Sequence, residues 1–190
     1  MNRMKTAPRV NVIIRLTSFI CACLSLLSFS SLPSAAARAQ EGKAQLVKQE
    51  YFEKQDVTQI TLNPFILASR KFEELRLGAV TSYPGKVKTK PREVALLFVS
   101  LSKADTNKYE SARMLTIITN EQRYPLGETK RSKQARDSLF IETMAAVIPM
   151  DTFVRICWSK EVSIKLGLTE VKLSPDQISL LRAAASYMTQ

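Results

Sequence analysis

The sequence predicts a mainly β protein, an antiparallel sandwich or open barrel, capped by one short helix and by a helix at the C-terminus. Three observations lead to this fold class. Segments of strand character recur at intervals of roughly 10–15 residues, with turn residues between them. Helical periodicity is convincing only after Pro149. The segment from Pro149 to Gln190 has the order helix, hairpin, helix.

The N-terminus has the three parts of a secretory signal peptide. Residues 1–15 are basic, Leu16–Leu32 is apolar and uncharged, and Ala37 and Ala39 form a small-residue cleavage pattern. We therefore predict a signal peptide over residues 1–39, with cleavage near Ala39 and a mature chain that begins at Gln40. The protein is expected in the periplasm or outside the cell.

Two alternatives remain open for the N-terminus. The uncharged run has 17 residues, which is the short limit of a membrane-spanning helix, so an uncleaved N-terminal membrane anchor is one alternative. The other is a lipoprotein with its lipid on Cys23, since Ile20-Cys21-Ala22-Cys23 is similar to a bacterial lipoprotein box.

Composition excludes several classes of chemistry. Of the 28 basic residues five lie in the signal peptide, which leaves 23 against 17 acidic residues and a net charge of +6 for the remainder. This charge permits attraction to anionic polymers or membranes without requiring it. The chain has no histidine, so Ser-His-Asp catalysis, Cys-His catalysis and histidine-ligated metals are excluded.

Cysteine usage excludes further classes of chemistry. Cys21 and Cys23 lie in the signal peptide, so Cys157 is the one cysteine of the mature chain and is expected to be a buried packing residue. A single cysteine forms neither an internal disulfide nor a zinc site. No glycine-rich phosphate loop is present. We predict no enzyme, no metal and no cofactor.

The mature chain divides into a polar linker, residues 40–48, and one β-rich domain, residues 49–190, which is long enough to bury a full core. Val94–Leu101 is its most apolar run and predicts a central strand buried on both faces. Asn63-Pro64 interrupts an earlier strand and favours an edge or a bend. Other strands are predicted around Tyr51 and at Val57–Leu62, Phe65–Ala68, Phe72–Val80, Met114–Thr119, Gln122–Leu126 and Ser138–Ile148.

Three connections between these strands are predicted to be loops. Gly85–Arg92 and Gly127–Asp137 are basic, and Lys103–Glu110 is polar. The turn at Asn120-Glu121 suits a hairpin, since asparagine tolerates a left-handed backbone.

The segment from Pro149 to Gln190, called the C-terminal unit below, begins with a short helix. Asp151 is expected to cap it, and Phe153, Ile156 and Cys157 fall on one helical face. A strand over Phe153–Trp158 is the alternative, because Val154, Ile156 and Trp158 also alternate.

A hairpin and a second helix complete this unit. The hairpin joins Glu161–Leu166 to Thr169–Leu173 at Gly167. Ser174 and Gln177 match a capping box, with Pro175 at the first helical position. The residues expected to face the core from the second helix are Ile178, Leu181, Ala184, Ala185 and Met188.

The C-terminal unit resembles uncharacterised small exported bacterial β-rich proteins. The resemblance rests on Ile148-Pro149 at a strand end, Phe153 in a short helix, Gly167 in a hairpin and Ser174–Met188 as a capped final helix. It implies a β-rich fold capped by helices and no particular activity.

Two basic segments are the candidate binding sites. The first has its charges at alternate positions and the second lies in a predicted loop near Tyr124. Both suit phosphates, lipid headgroups or acidic glycans. The alternative is that the first is a charged edge that prevents aggregation and that the second is an ordinary basic loop. The candidate anion-binding residues are Lys86, Lys88, Lys90, Arg92, Lys130, Arg131, Lys133 and Arg136.

Other candidates for chemistry are weaker. Glu73 and Glu74 are adjacent, so an extended backbone points them to opposite faces, and both are expected to be surface charges. Ser102 and Lys103 flank a strand end without a supporting motif. Trp158 is expected to pack in the core or at its rim.

The sequence therefore predicts an exported, non-catalytic binding or structural module of the cell envelope. The alternative is a protein that binds anionic polymers or membrane surfaces through the two basic segments. An anionic envelope polymer, lipid headgroups or another envelope protein are the expected partners, and nucleic acid is disfavoured because the signal peptide directs the chain out of the cytoplasm.

Overall fold

The computed structural model describes residues 46–103, 108–136 and 138–190. The predicted signal peptide, its cleavage site and Cys23 lie outside the described residues. The first described strand begins at Val47, so the last two residues of the predicted linker belong to that strand.

Ten strands and two α-helices make up the described domain, with a 3₁₀ turn at Glu53–Gln55. In chain order they are β1 Val47–Phe52, β2 Val57–Arg70, β3 Glu73–Pro84, β4 Glu93–Ser102, β5 Met114–Thr119, β6 Arg123–Glu128, β7 Lys130–Arg136, β8 Leu139–Pro149, α1 Met150–Trp158, β9 Val162–Leu166, β10 Thr169–Lys172 and α2 Pro175–Thr189.

The strands form two antiparallel sheets. One has six strands in the order β1-β2-β3-β4-β8-β7, and the other has four in the order β10-β9-β5-β6. The predicted mainly β class, with two sheets and capping helices, is confirmed. Because β4 lies between β3 and β8, it is central, as its apolar run predicts.

The core lies on one face of the six-stranded sheet. Alternate residues of β4, namely Val94, Leu96 and Phe98, are at most 2% exposed. They join one hydrophobic cluster with residues of β5, β9, α1 and α2. We call this the inner face of the sheet and the opposite one the outer face.

β2 is one strand of 14 residues where two were predicted. The pairing with β3 shifts register between Leu62 and Phe65, so Asn63 and Pro64 form a bulge rather than a break. β1 pairs with β2 only as far as Leu62, so Pro64 lies where β2 is an edge strand. A Cβ atom on Gly78 would lie 3.0 Å from the Leu62 carbonyl oxygen and 3.2 Å from Pro64 Cγ. The absence of a side chain at Gly78 therefore leaves room for the bulge.

The predicted loop Gly127–Asp137 is wrong, because residues 130–136 form the edge strand β7. β7 pairs with β8 from Lys130 opposite Ala145 to Arg136 opposite Leu139. Its side chains carry no apolar alternation, so backbone pairing determines this strand and the sequence pattern does not reveal it. Basic residues suit an edge strand, because they discourage pairing with another sheet.

The predicted helix over Phe153–Cys157 is confirmed, and the strand alternative is wrong. The expected cap is also wrong. The N-cap is Pro149, no side chain caps the helix, and Asp151 lies in the first turn. There its carboxylate forms an ion pair with Lys90 at 3.0 Å, and its charge still favours the helix dipole.

The hairpin of β9 and β10 turns at Gly167-Leu168, since Leu166 pairs with Thr169. Gly167 has φ +58, and a Cβ atom there would lie 1.9 Å from the Ala112 carbonyl oxygen. Its amide donates to the Met114 carbonyl at 2.9 Å. Glycine is therefore required both for the left-handed turn and for its close approach to the chain before β5.

The hairpin of β5 and β6 turns at Asn120-Glu121 as predicted, but Asn120 does not have positive φ. Its side-chain oxygen instead accepts from the amides of Lys160 and Glu161, at 3.0 and 3.3 Å. The turn therefore supports the connection between α1 and β9.

The capping box of α2 is confirmed. Gln177 N donates to Ser174 Oγ at 3.2 Å, and Ser174 N donates to Gln177 Oε1 at 2.8 Å. The predicted apolar residues of this helix are buried in the core. Gln177 Nε2 also donates to the Ile66 carbonyl at 2.7 Å, so the cap also attaches α2 to the exposed edge of β2.

Replacing Leu181 with alanine tests the packing of α2. Leu181 is 2% exposed, so Leu181→Ala is expected to lower the free energy of unfolding by about 2–5 kcal/mol in urea titration. Leu168→Ala is the control, because Leu168 is 90% exposed and its loss is expected to change stability by less than about 0.5 kcal/mol. Equal effects of the two would mean that α2 does not pack as described.

Candidate functional site

The first basic segment lies against its own domain. Lys86 Nζ is 4.7 Å from the ring centroid of Tyr51. Lys88 Nζ is 4.7 Å from the ring centroid of Tyr187 and donates to the Tyr187 carbonyl at 2.8 Å. Because Tyr187 is in the last turn of α2, the Lys88 charge stabilises carbonyls at the end of that helix.

The rest of the first segment contacts the start of α1. Lys90 forms the ion pair with Asp151, and the carbonyl of Arg92 accepts from the amide of Met150 at 2.8 Å. The segment thus connects the C-terminal end of α2 to the N-terminal end of α1. Its lysines remain exposed, but the groups that they contact belong to the fold.

The second basic segment divides by face along β7. Arg131 and Lys133 lie on the inner side: Arg131 Nε donates to the buried Glu142 carboxylate at 2.8 Å, and Lys133 Nζ is 5.4 Å from the ring centroid of Phe140. Lys130 and Arg136 are exposed. The two candidate segments contact different elements, the first α1, α2 and β1, the second β8, so their contacts do not form one shared site.

A partly buried polar cluster lies where β3, β4 and the segment before β5 meet. Glu73 is its centre, with a side chain 14% exposed. Glu73 Oε1 accepts from Ser100 Oγ and from Tyr109 OH, both at 2.9 Å, and Oε2 accepts from Lys108 Nζ at 2.6 Å. Both oxygens of this carboxylate are therefore engaged.

The electrostatics of this cluster favour a charged, fixed carboxylate. Burial by itself raises the pKa of Glu73, but hydrogen bonds from Lys108, Tyr109 and Ser100 outweigh it and hold the pKa below its ordinary value. Burial also raises the pKa of Tyr109 well above its ordinary range, so the phenol stays neutral and donates. Tyr109 OH is 3.3 Å from Thr169 Oγ1, which connects the two sheets.

The expectation that Glu73 is a surface charge is wrong, although the opposite orientation of the two glutamates is correct. Glu74 forms an ion pair with Arg76 that is about one-third exposed. Glu73 is partly buried because Lys108 and Tyr109 cover it from a distant segment. No sequence pattern near Glu73 predicts its hydrogen bonds, since the residues that donate them are 27 to 36 positions away.

Cys157 and Trp158 behave differently although they are adjacent. Cys157 is fully buried, as predicted, and burial raises the pKa of its thiol well above the usual range against the opposing charge of Arg182. Trp158 is 60% exposed, so it is not a core residue. The Arg182 guanidinium lies 5.9 Å from its ring centroid and donates to the carbonyls of Cys157 and Ser159.

The outer face of the six-stranded sheet is unusually apolar. Paired residues of antiparallel strands share a face, so Leu97, Val99 and Leu101 of β4 lie on the outer face together with their partners on β3 and β8. Leu97, Val99 and Leu101 are partly exposed, whereas Ala95 and Ala145 on the same face are at most 6% exposed, and none of the five is a member of the core cluster. We call this set the outer apolar patch: Ile66, Val80, Ala95, Leu97, Val99, Leu101, Ile141, Ala145 and Val147.

The prediction that β4 is buried on both faces is confirmed for the inner face. On the outer face Ala95 is 1% exposed, whereas Leu97, Val99 and Leu101 are partly exposed. An antiparallel sheet with one solvated face normally alternates apolar and polar residues. β4 does not alternate, and Val147 and Ile66 are each 46% exposed. The same apolar run that predicts a central strand is the sequence signal for this surface.

Neither a metal-ligand cluster nor a membrane-spanning helix occurs in the described ranges. No group of three or more Cys, Asp or Glu side chains there is placed to hold a metal ion. None of the helices described is both long and apolar enough to cross a membrane.

Comparison with known proteins found no match. No family model, curated protein or solved structure matches the chain. The resemblance of the C-terminal unit to small exported β-rich proteins stays a prediction.

Glu73→Gln tests the polar cluster through the pH dependence of stability. The lowered pKa of Glu73 stabilises the fold above the ordinary glutamate pKa, and this contribution is lost as pH falls through the folded-state pKa. At pH 7 the variant is expected to lose on the order of 1.5–3 kcal/mol, the usual size of a hydrogen bond to a charged group. The difference from wild type should shrink towards pH 3.

Glu74→Gln is the matched control, because it removes the neighbouring carboxylate from the other face. Its effect in urea titration is expected to stay within about 1 kcal/mol. A loss for Glu73→Gln that does not change with pH would contradict the assigned ionic role.

Proposed function

We propose that this chain is an exported, non-catalytic binding module of the cell envelope that binds through the outer apolar patch. The observation that carries the proposal is the patch itself, since an apolar surface of this kind on a folded domain is typical of an interaction site. Export is proposed from the N-terminal pattern of the sequence.

The titratable groups support a binding role over a catalytic one. A general acid or base must exchange a proton with a substrate. Both oxygens of Glu73 are engaged in hydrogen bonds, and Glu142 is buried and held by Arg131. Cys157 is buried with a raised pKa, which is the opposite of an activated nucleophile. Each of these groups stabilises the domain.

Leu97→Glu tests the patch in envelope binding. A charge at its centre is expected to reduce retention of the purified chain on isolated envelopes of the producing cells at least ten-fold, since a charge is costly to desolvate. Leu168→Glu places the same charge on an exposed apolar residue of the β9–β10 turn and should bind as wild type. Equal retention of both variants would contradict the use of the outer face.

The mass of the purified chain tests the export component of the proposal separately. A chain that begins at Gln40 supports it, and a chain that keeps Met1 contradicts cleavage.

A second candidate function is binding to an anionic polymer or lipid surface. The specific observation in its favour is that Lys130 and Arg136 are exposed on the edge strand β7, beside the outer face. In the first segment, by contrast, the contacts of Lys88 and Lys90 stabilise helix ends.

Retention on heparin and on vesicles with anionic lipid separates the second candidate from the first. An anionic-surface protein is expected to bind at low salt and to lose binding steeply by about 0.2 M salt. Lys130→Gln combined with Arg136→Gln should reduce that retention, whereas Lys165→Gln, an exposed control on β9, should not. Absence of retention at low salt would remove this candidate.

A further inference from the structure

We propose that Trp158 is the stacking platform of a binding site for an acidic carbohydrate, that is, a chain of sugar rings that carry acidic groups. The site lies at the C-terminal end of α1 and is additional to the outer apolar patch of the proposed function. Phe153 and Ile156 of α1 belong to the core on the inner face of the sheet, so the two surfaces are separate.

Trp158 is exposed at a position where the backbone is held on both sides. It is 60% exposed, although its neighbours Cys157 and Ser159 are 0% and 5% exposed. Arg182 Nε donates to the Cys157 carbonyl at 3.0 Å, and Arg182 Nη2 donates to the Ser159 carbonyl at 2.8 Å. One guanidinium from α2 therefore fixes the backbone before and after the exposed ring.

The chain that follows Trp158 is also held in place. The amides of Lys160 and Glu161 donate to Asn120 Oδ1, which is 40 and 41 positions earlier in the sequence. A single exposed apolar side chain is common on a protein surface. Trp158 differs because the backbone that carries it is already ordered before any ligand binds, and this preorganisation favours affinity.

The ring itself suits a sugar. The Arg182 guanidinium lies 5.9 Å from the ring centroid of Trp158, close to the outer limit of a cation–π contact, and the ring stays largely open to water. A sugar ring has an apolar face of C–H groups and a rim of hydroxyl groups. It can stack on an indole, which is flat and apolar apart from its N–H group, while its hydroxyls keep their hydrogen bonds to water.

The surroundings of the ring are basic, which favours an acidic ligand. Arg155 is three positions before Trp158 on α1, so the two side chains are neighbours on the helix surface. Lys160 follows two positions after Trp158, and both Arg155 and Lys160 are exposed. Together with Arg182 they place three basic side chains around the ring.

Acidic residues near this end of α1 do not cancel that charge. Glu161 forms an ion pair with Lys172 at 3.1 Å, and Asp151, two helical turns before Trp158, forms one with Lys90. Glu121 lies beside Asn120 and is one acidic residue against the three basic ones. The net charge around the ring is therefore positive and attracts an acidic ligand.

These surroundings fit a carbohydrate better than a membrane. A helix that lies in a membrane surface presents several apolar side chains together with its basic ones. On α1 the exposed neighbour of Trp158 is the charged Arg155, whereas Val154 packs against the core. No apolar face of α1 therefore accompanies the ring.

The fluorescence of the chain tests this site directly, because the sequence has one tryptophan. Three short oligomers separate the parts of the proposal. Oligogalacturonate has sugar rings with carboxylates, its methyl ester has the rings without the charge, and oligoglutamate has carboxylates without rings. Oligogalacturonate is expected to shift the emission of Trp158 to shorter wavelength and to bind about ten-fold or more tightly than either of the others, the usual size of a stacking contribution.

Variants at the site are expected to weaken this binding in calorimetry. Trp158→Leu keeps an apolar side chain and removes the stacking ring, so it should lower the affinity for oligogalacturonate by about ten-fold or more. Arg155→Gln combined with Lys160→Gln should lower it as well. Lys165→Gln, an exposed control on β9, should bind as wild type. Circular dichroism and thermal unfolding show whether each variant is folded.

Several outcomes would overturn the site. Equal binding of oligoglutamate, or an unchanged affinity of Trp158→Leu, would mean that the ligand contacts charge without stacking. Equal binding of the methyl ester would remove the role of the basic residues. A larger emission shift with vesicles of anionic lipid would assign the ring to a membrane surface. Absence of oligogalacturonate binding would remove the carbohydrate.

The outer apolar patch and β7 are tested separately from this site. Leu97→Glu, and Lys130→Gln combined with Arg136→Gln, should each bind oligogalacturonate as wild type. If Leu97→Glu loses envelope retention while the wild-type chain binds no oligogalacturonate, the carbohydrate site is overturned and the proposed function stands.

Discussion

The structure depends on keeping one face of the six-stranded sheet away from water. β4 lies at the centre of this sheet and presents Val94, Leu96 and Phe98 to the interior, where they are at most 2% exposed. The second sheet and the two helices supply the other side of that core. Burial of large apolar side chains, at roughly 1.5–3 kcal/mol each, is the main contribution that opposes the entropy of ordering this chain.

Polar contacts decide how the covering elements are attached. The capping box of α2 extends through Gln177 to the backbone of β2, and Arg182 joins α2 to the carbonyls at the end of α1. At the other end, Glu73 and Tyr109 connect β3 to the segment before β5 and to β10. Buried charges are costly unless they are paired and hydrogen-bonded, and each of these groups has its partners. The polar side chains therefore fix the positions of the helices and the second sheet on the six-stranded sheet, which apolar burial alone does not specify.

The same constraint explains why the outer face carries the functional proposal. The inner face has its cover, and among the described residues the buried side-chain polar atoms have hydrogen-bond partners with the exception of Arg113 Nε. The outer face alone is apolar without belonging to the core. The basic residues differ in their surroundings: Lys88 and Lys90 contact helix ends, Arg131 and Lys133 contact residues of β8, and Lys130 and Arg136 lie beside the outer face.

The amino-acid sequence by itself determined the features that depend on neighbours within a few residues. The antiparallel β class, the capping box at Ser174 and Gln177, the buried stripe of α2 and the burial of Cys157 all follow from periodicity and local hydrogen bonding. Asp151 marks the limit of such local reasoning, because Pro149 occupies the cap position and Lys90 takes the carboxylate.

Tertiary structure decided the rest, because the deciding partners are far away in sequence. β7 is a strand because β8 offers a free edge, although its own side chains have no strand pattern. The Glu73 side chain is only 14% exposed because Lys108 and Tyr109 cover it, whereas that of Glu74, one residue away, is 29% exposed. Both faces of β4 carry apolar residues in sequence, and only the placement of the second sheet and the helices determines which face becomes the core.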